Sequence, residues 1–241
     1  MQRKHPIPPG RYICGAILRF LIWLFLRVEV RGAERVPGCG AGIICYNHIH
    51  WLDPVLICGQ LARYAVPLAK IEASRWPVVG WLLRWYHVIF ITRGAVDRAA
   101  LKATWDVLMD GDISVISPEG TRSRDGKLQE AREGLAFVAR EFPDAWLIPC
   151  AVTGTVQFKW KIPLINRTKV VLTYGDPFRF AWPRNPDGSV ALPQGRAGRE
   201  VMRQMTDEAM AELAALLPEE MRGAYSEAVT ASRQWLRECC E

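Results

Sequence analysis

The chain has 241 residues, half of them hydrophobic, which is enough for a large buried core in an α/β domain. Its 31 Lys and Arg residues exceed its 25 Asp and Glu residues, and the formal charge of +6 favours an anionic partner. The seven cysteines are odd in number and lack a CxxC spacing. This argues against a zinc ribbon or a redox pair and indicates reduced thiols.

The first predicted element is a helix in RYICGAILRFLIWLFLRVEV, residues 11–30. Its longest charge-free runs hold seven residues, whereas a spanning helix needs roughly 18 to 20 apolar residues. Arg11, Arg19 and Arg27 recur every eight positions, which confines them to an arc of roughly 160° and leaves the other face apolar. This pattern predicts an amphipathic helix in a membrane interface. Packing of the same helix on its own domain is the alternative.

Beyond residue 31, short apolar runs alternate with segments that have apolar residues at helical spacing. The predicted strands are AGIICYN, YAVPLA, HVIFI, ISVIS, WLIPCAV and KVVLTYG. The predicted helices are WLDPVLICGQLA, WPVVGWLLRWY, VDRAALKATWDVLM, LQEAREGLAFVAREF and REVMRQMTDEAMAELAALL, with one more short helix in residues 219–241. This order predicts an α/β fold with a largely parallel central sheet covered by helices, ending in C-terminal helices.

The stretch YNHIHWLDP, residues 46–54, brings two histidines and an aspartate together where a predicted strand meets a predicted helix. Asp53 falls in the first helical turn, where a carboxylate is favoured, and it can turn back to hold one ring nitrogen of His48. No serine or cysteine stands in a GxSxG turn. His48 is therefore predicted to activate the hydroxyl of a substrate, with Asp53 as a simple helix cap as the alternative.

A metal site is a second interpretation of the same residues. His48 and His50 begin a pattern like HxHxDH of metallohydrolases, but Leu52 stands where that pattern has its aspartate. The chain has four histidines and no thiolate cluster, so a third ligand is lacking. We predict no metal, and a metal-dependent hydrolase that uses His48, His50 and Asp53 is kept as an alternative.

A second chemical patch, SPEGTRSRDGKL, follows the predicted strand ISVIS at residues 117–128. Ligands bind at strand ends in parallel sheets. Gly120 shapes a tight turn, Thr121 offers a hydroxyl, and Arg122 offers a planar fork suited to a phosphate. Arg93 follows the strand HVIFI in the same topological place. Each of these is an ordinary solvated loop residue when taken alone, but together they predict a phosphate pocket beside a general base.

These segments resemble the motifs of the 1-acylglycerol-3-phosphate acyltransferase family, in the same order and over roughly residues 10–180. NHIHWLD is similar to the HxxxxD block, FITRG to the second block, SPEGTRS to the EGTR block and LIPCAVTG to the proline-bearing strand. The likeness of PEGTRS, DGKL and EGLAFVA is the most specific part. The chain departs from the usual residue types at His50, Thr92 and Arg132, which bears on the identity of the acceptor.

The resemblance implies a membrane-associated O-acyltransferase of phospholipid synthesis. It would move a fatty acyl group from acyl-CoA or acyl carrier protein to the free hydroxyl of a lysophosphatidate-like acceptor. His48 and Asp53 would be catalytic, and Glu119 would bond a glycerol hydroxyl or orient the arginines. The residues implied in acceptor binding are Lys70, Arg93, Glu119, Gly120, Thr121 and Arg122. Apart from the acyl thioester as co-substrate, no cofactor is implied.

The implied organisation is a membrane-associating helical segment over residues 1–30 and an acyltransferase domain, with its C-terminal helices, over residues 31–241. Such a protein would be peripheral or monotopic at the cytoplasmic face of the cell membrane. A non-enzymatic binder of anionic lipids is a further alternative. Nucleic-acid binding is not predicted, because the basic residues are dispersed and no recognised module is present.

Overall fold

The computed structural model describes residues 5–7, 9–92, 97–158, 167–231 and 233–238. Its helices are α1 (Pro9–Phe25), α2 (Asp53–Gln60), α3 (Val79–Trp85), α4 (Arg98–Met109), α5 (Gly134–Arg140) and α6 (Arg196–Ala215). Its strands are β1 (Leu26–Arg31), β2 (Gly42–Tyr46), β3 (Ala65–Lys70), β4 (Ile89–Ile91), β5 (Ile113–Ile116), β6 (Trp146–Thr153), β7 (Thr168–Tyr174), β8 (Phe178–Phe180) and β9 (Leu236–Glu238). The six predicted strands and five predicted helices of the sheet region are all present.

The strands form one sheet in the order β1-β7-β6-β2-β5-β3-β4. Strands β6, β2, β5, β3 and β4 run parallel to their neighbours in this order, and β1 runs parallel to β7. Antiparallel pairing joins β6 to β7 and links β8 to β6 and β9. The predicted α/β class with a largely parallel sheet is confirmed. The antiparallel β6–β7 pair needs no crossover helix, and the sequence between them carries no predicted one.

Helices cover both faces of the sheet. Ile43 and Ile44 are adjacent in β2 and belong to different clusters, since successive side chains of a strand point to opposite faces. Ile44 packs with residues of α1 and α2, including Ile22 and Leu56. Ile43 packs with residues of α4, α5 and α6, including Met205. Both faces of the central strands are therefore buried, which explains their continuous apolar sequences.

The N-terminal helix is shorter than predicted. It ends at Phe25, and Leu26 begins strand β1, in which Val28 lies opposite Val170 of β7. The prediction that the helical segment continues to residue 30 is therefore wrong. Charged and β-branched residues alternate in RVEV, the pattern of a strand, but the preceding apolar helix runs into it without a turn residue.

The predicted stripe of three arginines on this helix does not form. Arg27 lies in β1. Arg11 turns toward the domain, where its guanidinium donates to the Ala62 carbonyl at 3.0 Å and lies 4.9 Å from the centre of the Tyr64 ring. Arg19 is exposed. None of the described helices has the length and apolar composition needed to cross a bilayer.

The chain after α6 also differs from the prediction. In place of one more short helix, it forms 3₁₀ turns at Glu219–Met221, Gly223–Tyr225 and Ala228–Thr230, followed by β9. Gly223 interrupts any longer helix, because its φ of +49° is unfavourable for other residue types. The predicted C-terminal helix α6 itself is present, and its apolar side packs on the sheet.

Candidate active site

The predicted site residues follow neighbouring parallel strands. His48 comes two residues after β2, Glu119 comes three residues after β5, and Lys70 is the last residue of β3. Strand β5 lies between β2 and β3, with Cys45 opposite Ile116 in the β2–β5 pair. The carboxyl ends of these strands therefore share one edge of the sheet, which is where ligands bind in such folds.

The His48–Asp53 pair is present as predicted. Asp53 is the first residue of α2 and is fully buried, with 0% of its surface exposed. Its Oδ2 lies 3.1 Å from Nδ1 of His48 and accepts the backbone N–H groups of Ile49 and His50 at 2.7 and 2.6 Å. Its Oδ1 accepts the hydroxyl of Thr155 at 2.7 Å. The carboxylate thus binds the preceding loop and the 3₁₀ turn after β6 (Thr155–Gln157) rather than the amides of its own helix, so it is more than a helix cap.

Two N–H groups and one hydroxyl donate to the Asp53 carboxyl group, which therefore acts as an acceptor. Opposite this acceptor, a neutral His48 ring carries its hydrogen on Nδ1 and presents Nε2 as an acceptor. The His48 side chain is 16% exposed, and its ring meets the buried Tyr46 ring edge-on at 5.5 Å. The fold therefore fixes the orientation and tautomer of an imidazole that is still open to a substrate.

Glu119 supports the backbone of His48 from the neighbouring loop. Only 2% of Glu119 is exposed, and its Oε1 accepts the His48 N–H at 2.9 Å while its Oε2 accepts the Gln129 N–H at 3.1 Å. The carbonyl oxygen of His48 accepts the Ser123 N–H at 2.7 Å. Burial raises the pKa of Glu119 to about 7, and the two backbone bonds partly oppose this shift. The contact with an acceptor hydroxyl stays a prediction, but the structure gives Glu119 a supporting role.

The remaining residues of the 117–128 loop have different surroundings. Gly120 has a φ of +66°, and a Cβ there would lie 2.9 Å from Cδ of Arg132, so this turn needs glycine. Thr121 is half-buried and Arg122 is exposed at the same turn. Lys70 is also exposed. Arg93 lies outside the described residues, and the binding roles of all four polar or charged side chains remain predictions.

His50 forms a second imidazole beside the base. Its Nδ1 accepts the Leu52 N–H at 3.4 Å, and its ring lies edge-on to Phe158 at 6.1 Å. Burial lowers the pKa of His50, and the charge of Arg122 lowers it further while Asp53 opposes the shift. His50 is therefore a neutral ring close to the guanidinium that we predict to bind the acceptor.

A metal centre would need ligands that this arrangement does not leave free. The two Asp53 oxygens, which would supply the third ligand of that alternative, are already engaged by the Ile49 and His50 N–H groups, the Thr155 hydroxyl and Nδ1 of His48, so only the Nε2 atoms of the two histidines stay open. Within the described ranges, no three His, Cys, Asp or Glu side chains are grouped so as to hold one ion. The geometry thus favours a proton-transfer pair over the alternative of a metallohydrolase.

Three contacts around the site were not predicted. Thr155 bonds Asp53 from the turn after β6, and Gln129 bonds Glu119 from the loop before α5. Asn47 is 2% exposed and exchanges two bonds with the backbone of Val152, at 2.9 and 2.7 Å. The sequence signals for two of these contacts were the Thr155 hydroxyl and the Asn47 amide, each of which follows an apolar strand. These signals do not say which distant partner each group meets.

A family model described as Acyltransferase matches residues 27–153, just over half of the chain. The chain belongs to this acyltransferase family. The matched region begins in β1 and ends with β6, so it includes the His48–Asp53 pair and Glu119. Thr155, α6 and the C-terminal turns of this family member lie beyond it.

Two relatives of this acyltransferase are named for the lipid acceptors on which they act. The 1-acyl-sn-glycerol-3-phosphate acyltransferase of Borreliella burgdorferi is 34% identical over 155 residues, which is 63% of this chain and 61% of that protein. The lyso-ornithine lipid O-acyltransferase of Rhodobacter capsulatus is 36% identical over 115 residues, 47% of this chain and 37% of the relative. The chain thus spans about three fifths of the length of the first relative and less of the second.

A solved structure shares the fold. The crystal structure of the 1-acyl-sn-glycerophosphate acyltransferase PlsC from Thermotoga maritima superposes with a TM-score of 0.57. The alignment covers 93% of this chain and 83% of that one, at 24% identity. The likeness therefore extends to the parts of the fold outside the family-matched region.

Proposed function

We propose that the protein is an O-acyltransferase that moves a fatty acyl group from a thioester to the free hydroxyl of a lysophosphatidate-like acceptor in phospholipid synthesis. The observation that carries this proposal is His48, whose Nδ1 is held by the buried Asp53 and whose Nε2 is free for a hydroxyl. The names of the relatives, which act on lysolipid acceptors, point to the same reaction class.

The reaction proceeds by general-base catalysis. As the acceptor oxygen attacks the carbonyl carbon of the thioester, Nε2 of His48 takes the hydroxyl proton and the ring becomes an imidazolium. The tetrahedral intermediate then expels the thiolate, which receives that proton from Nε2, and an ester is formed. Asp53 fixes the tautomer and stabilises the imidazolium charge. A base placed in this way contributes about 10² to 10⁴ in rate.

Cations at the strand ends would bind the anionic end of the acceptor. Lys70 is the last residue of β3, and Arg122 lies on the loop that also holds the backbone of His48. Their proposed role, shared with Arg93, is to grip the phosphate so that the acceptor hydroxyl meets the thioester carbon. Such alignment contributes several kcal/mol to a two-substrate reaction, on the order of 7 or more in the best cases. Acyl-CoA or acyl carrier protein is the proposed donor.

We also propose that α1 lies on the cytoplasmic face of a membrane. Large apolar side chains are exposed along it: Tyr12, Ile13, Ile17, Phe20, Leu21 and Trp23. A second exposed set lies at and before α3: Trp76, Val78, Val79 and Trp81. Exposing an acyl chain to water costs about 0.8 kcal/mol per methylene group. Contact with lipid would avoid this cost for the acyl chains of substrate and product.

The position of α1 suits this arrangement. Leu18 and Ile22 on its inner side pack against Gly59 of α2, and α2 begins at Asp53. The helix with the exposed apolar side chains therefore packs directly on the helix that begins with Asp53, the partner of the proposed base His48. Vesicle flotation with the wild type and with Phe20→Glu tests this proposal. Equal binding of both proteins to anionic vesicles would contradict it.

The central experiment offers the purified protein a panel of lysolipids with both thioester donors and detects the diacyl product by mass. Lysophosphatidate is the expected acceptor, and the lyso-ornithine lipid is the second candidate because of the Rhodobacter relative. His48→Ala should form no product, whereas the control His5→Ala should match the wild type, because His5 is exposed and pairs with Asp110. Full activity of a folded His48→Ala protein would reject the proposal.

A further inference from the structure

The segment after α6 is bonded to the loop that follows the EGTR motif. The Leu128 N–H donates to the Met221 carbonyl at 2.9 Å, and the Leu128 carbonyl accepts the Ala224 N–H at 3.1 Å. Between these two contacts lies Gly223, where a Cβ would collide with the Leu128 carbonyl oxygen. The backbones of residues 221–224 and of Leu128 are therefore in direct contact, with no room for a larger residue at 223.

Tyr225 extends this contact to α6. It is 5% exposed, and its hydroxyl accepts the Ala131 N–H at 2.9 Å and donates to Oδ1 of Asp207 at 2.8 Å. Its ring packs with Leu128 and with Met210 of α6 in one apolar cluster. The hydroxyl thus fixes the loop to a long helix that is packed on the sheet.

Residues 128–131 carry a bond that reaches the catalytic base. Gln129 lies between the two anchored residues, Leu128 and Ala131, and its N–H donates to Oε2 of Glu119. The other oxygen of Glu119 accepts the N–H of His48. The path from the C-terminal segment to the base therefore consists of one anchored loop and one buried carboxylate.

We propose that Tyr225, together with the backbone of residues 221–224, is a positioning element that holds residues 128–131 so that Gln129 keeps Glu119 against the backbone of His48. This inference rests on the proposed function and adds to it a residue outside the family-matched region, residues 27–153. Tyr225 acts through Glu119 and touches no reacting atom.

Tyr225→Phe removes only the hydroxyl, and Tyr64→Phe is the matched control. Tyr64 is 7% exposed, and its hydroxyl donates to the Tyr86 carbonyl at 3.1 Å, on the side of α1 and β3. Both variants lose a buried hydroxyl, so both should lower the unfolding temperature by a few degrees. Only Tyr225→Phe should lower kcat, by about tenfold, with KM for the donor unchanged.

The pH profile separates a positioning role from a merely structural one. The Gln129 N–H lowers the pKa of Glu119, so a loosened loop should raise that pKa and move the acid limb of the kcat profile to higher pH. Tyr64→Phe should keep the wild-type profile. A Tyr225→Phe protein with wild-type kcat and profile, or a Tyr64→Phe protein with the same changes, would overturn the proposal.

A measurement without turnover keeps this test independent of the proposed function. The side-chain carboxyl carbon of Glu119 is followed by NMR through a pH titration in the wild type and both variants. A higher midpoint in Tyr225→Phe alone supports the positioning role even if no acyl transfer is detected. Equal midpoints in all three proteins reject it, whatever reaction the enzyme catalyses.

Discussion

The base and the cations of the proposed site are built in different ways. Asp53 is fully buried among four donors, and the backbone of His48 is held on both sides by the 117–128 loop. Lys70 and Arg122 are exposed, and among the described residues neither side chain has a hydrogen bond or an ion pair. The fold thus fixes the proposed proton-transfer pair, whereas the cations proposed to bind the acceptor phosphate are exposed.

Asp53→Asn should have the largest effect, because it changes the buried group that holds His48. An amide group offers one acceptor oxygen where the carboxylate offers two, and its NH₂ faces donors. We therefore expect His48 to lose its tautomer and kcat to fall by about 10² to 10⁴. Kinetics by product mass and thermal unfolding by circular dichroism measure both effects. The control Asp144→Asn changes an exposed partner of Arg184 and should alter neither.

The raised pKa of Glu119 predicts that stability and activity depend on pH in opposite directions. Its folded pKa, about 7, lies above the ordinary 4.5, so its protonation stabilises the fold fully below pH 4.5. This contribution, about 2 to 4 kcal/mol, is lost as the pH rises to about 7. The proposed activity needs the ionised form, which accepts both backbone N–H groups, and should therefore rise as the pH passes through the folded pKa of about 7.

Glu119→Gln removes this titration and isolates it. We expect kcat to fall about tenfold, because an amide cannot accept both N–H groups. In denaturant unfolding, the free-energy difference between wild type and variant should change from pH 5 to pH 8 in favour of the variant. A constant difference across this interval would show that Glu119 does not titrate there.

Arg122→Gln tests the exposed cations that we propose to bind the acceptor phosphate. The loss of a charge-assisted bond to phosphate should raise KM for the acceptor by about 10- to 100-fold, with a smaller change in kcat. The effect should weaken at high salt, because the side chain is exposed. The control Arg199→Gln, at an exposed position in the first turns of α6, should leave KM unchanged. The same KM for both variants would remove Arg122 from the acceptor site.

His50→Ser should have the smallest effect of these substitutions. It tests whether the second imidazole belongs with the fixed His48–Asp53 pair or with the proposed acceptor site. His50 binds Asp53 through its backbone N–H, which serine keeps, and its neutral ring carries no charge for the acceptor. We expect kcat/KM for lysophosphatidate to change by less than about threefold. A larger change, with a new preference among lysolipids, would assign the ring to the selection of the acceptor.

The sequence predicted the sheet well where local pattern decides structure. The nearly continuous apolar runs of β2, β5 and β6 reflect burial on both faces. β1 was missed because its alternating pattern follows the apolar helix without a break. β8 and β9 have three residues each and were missed because FRF and LRE form no apolar run, unlike the equally short β4 with IFI.

The site, like the sheet, was predictable only where a local sequence pattern determines the contact. The His48–Asp53 contact spans five residues and follows from one loop, so its local pattern was sufficient. The bonds of Thr155 to Asp53 and of Asn47 to Val152 span more than 100 residues. They depend on which strands become neighbours, and on the register of β2 against β6, which no single segment encodes.

Helix α1 passes into strand β1 with no residue between Phe25 and Leu26. A helix joined to the sheet in this way has a fixed orientation relative to it, because β1 is hydrogen-bonded along its length to β7. Under the proposal that α1 rests on a bilayer, its contact with lipid would set the tilt of the whole sheet relative to the lipid plane, and with it the height of His48 above the acyl chains. Glycines inserted after Phe25 should leave vesicle binding intact while slowing turnover on lipid-embedded acceptors.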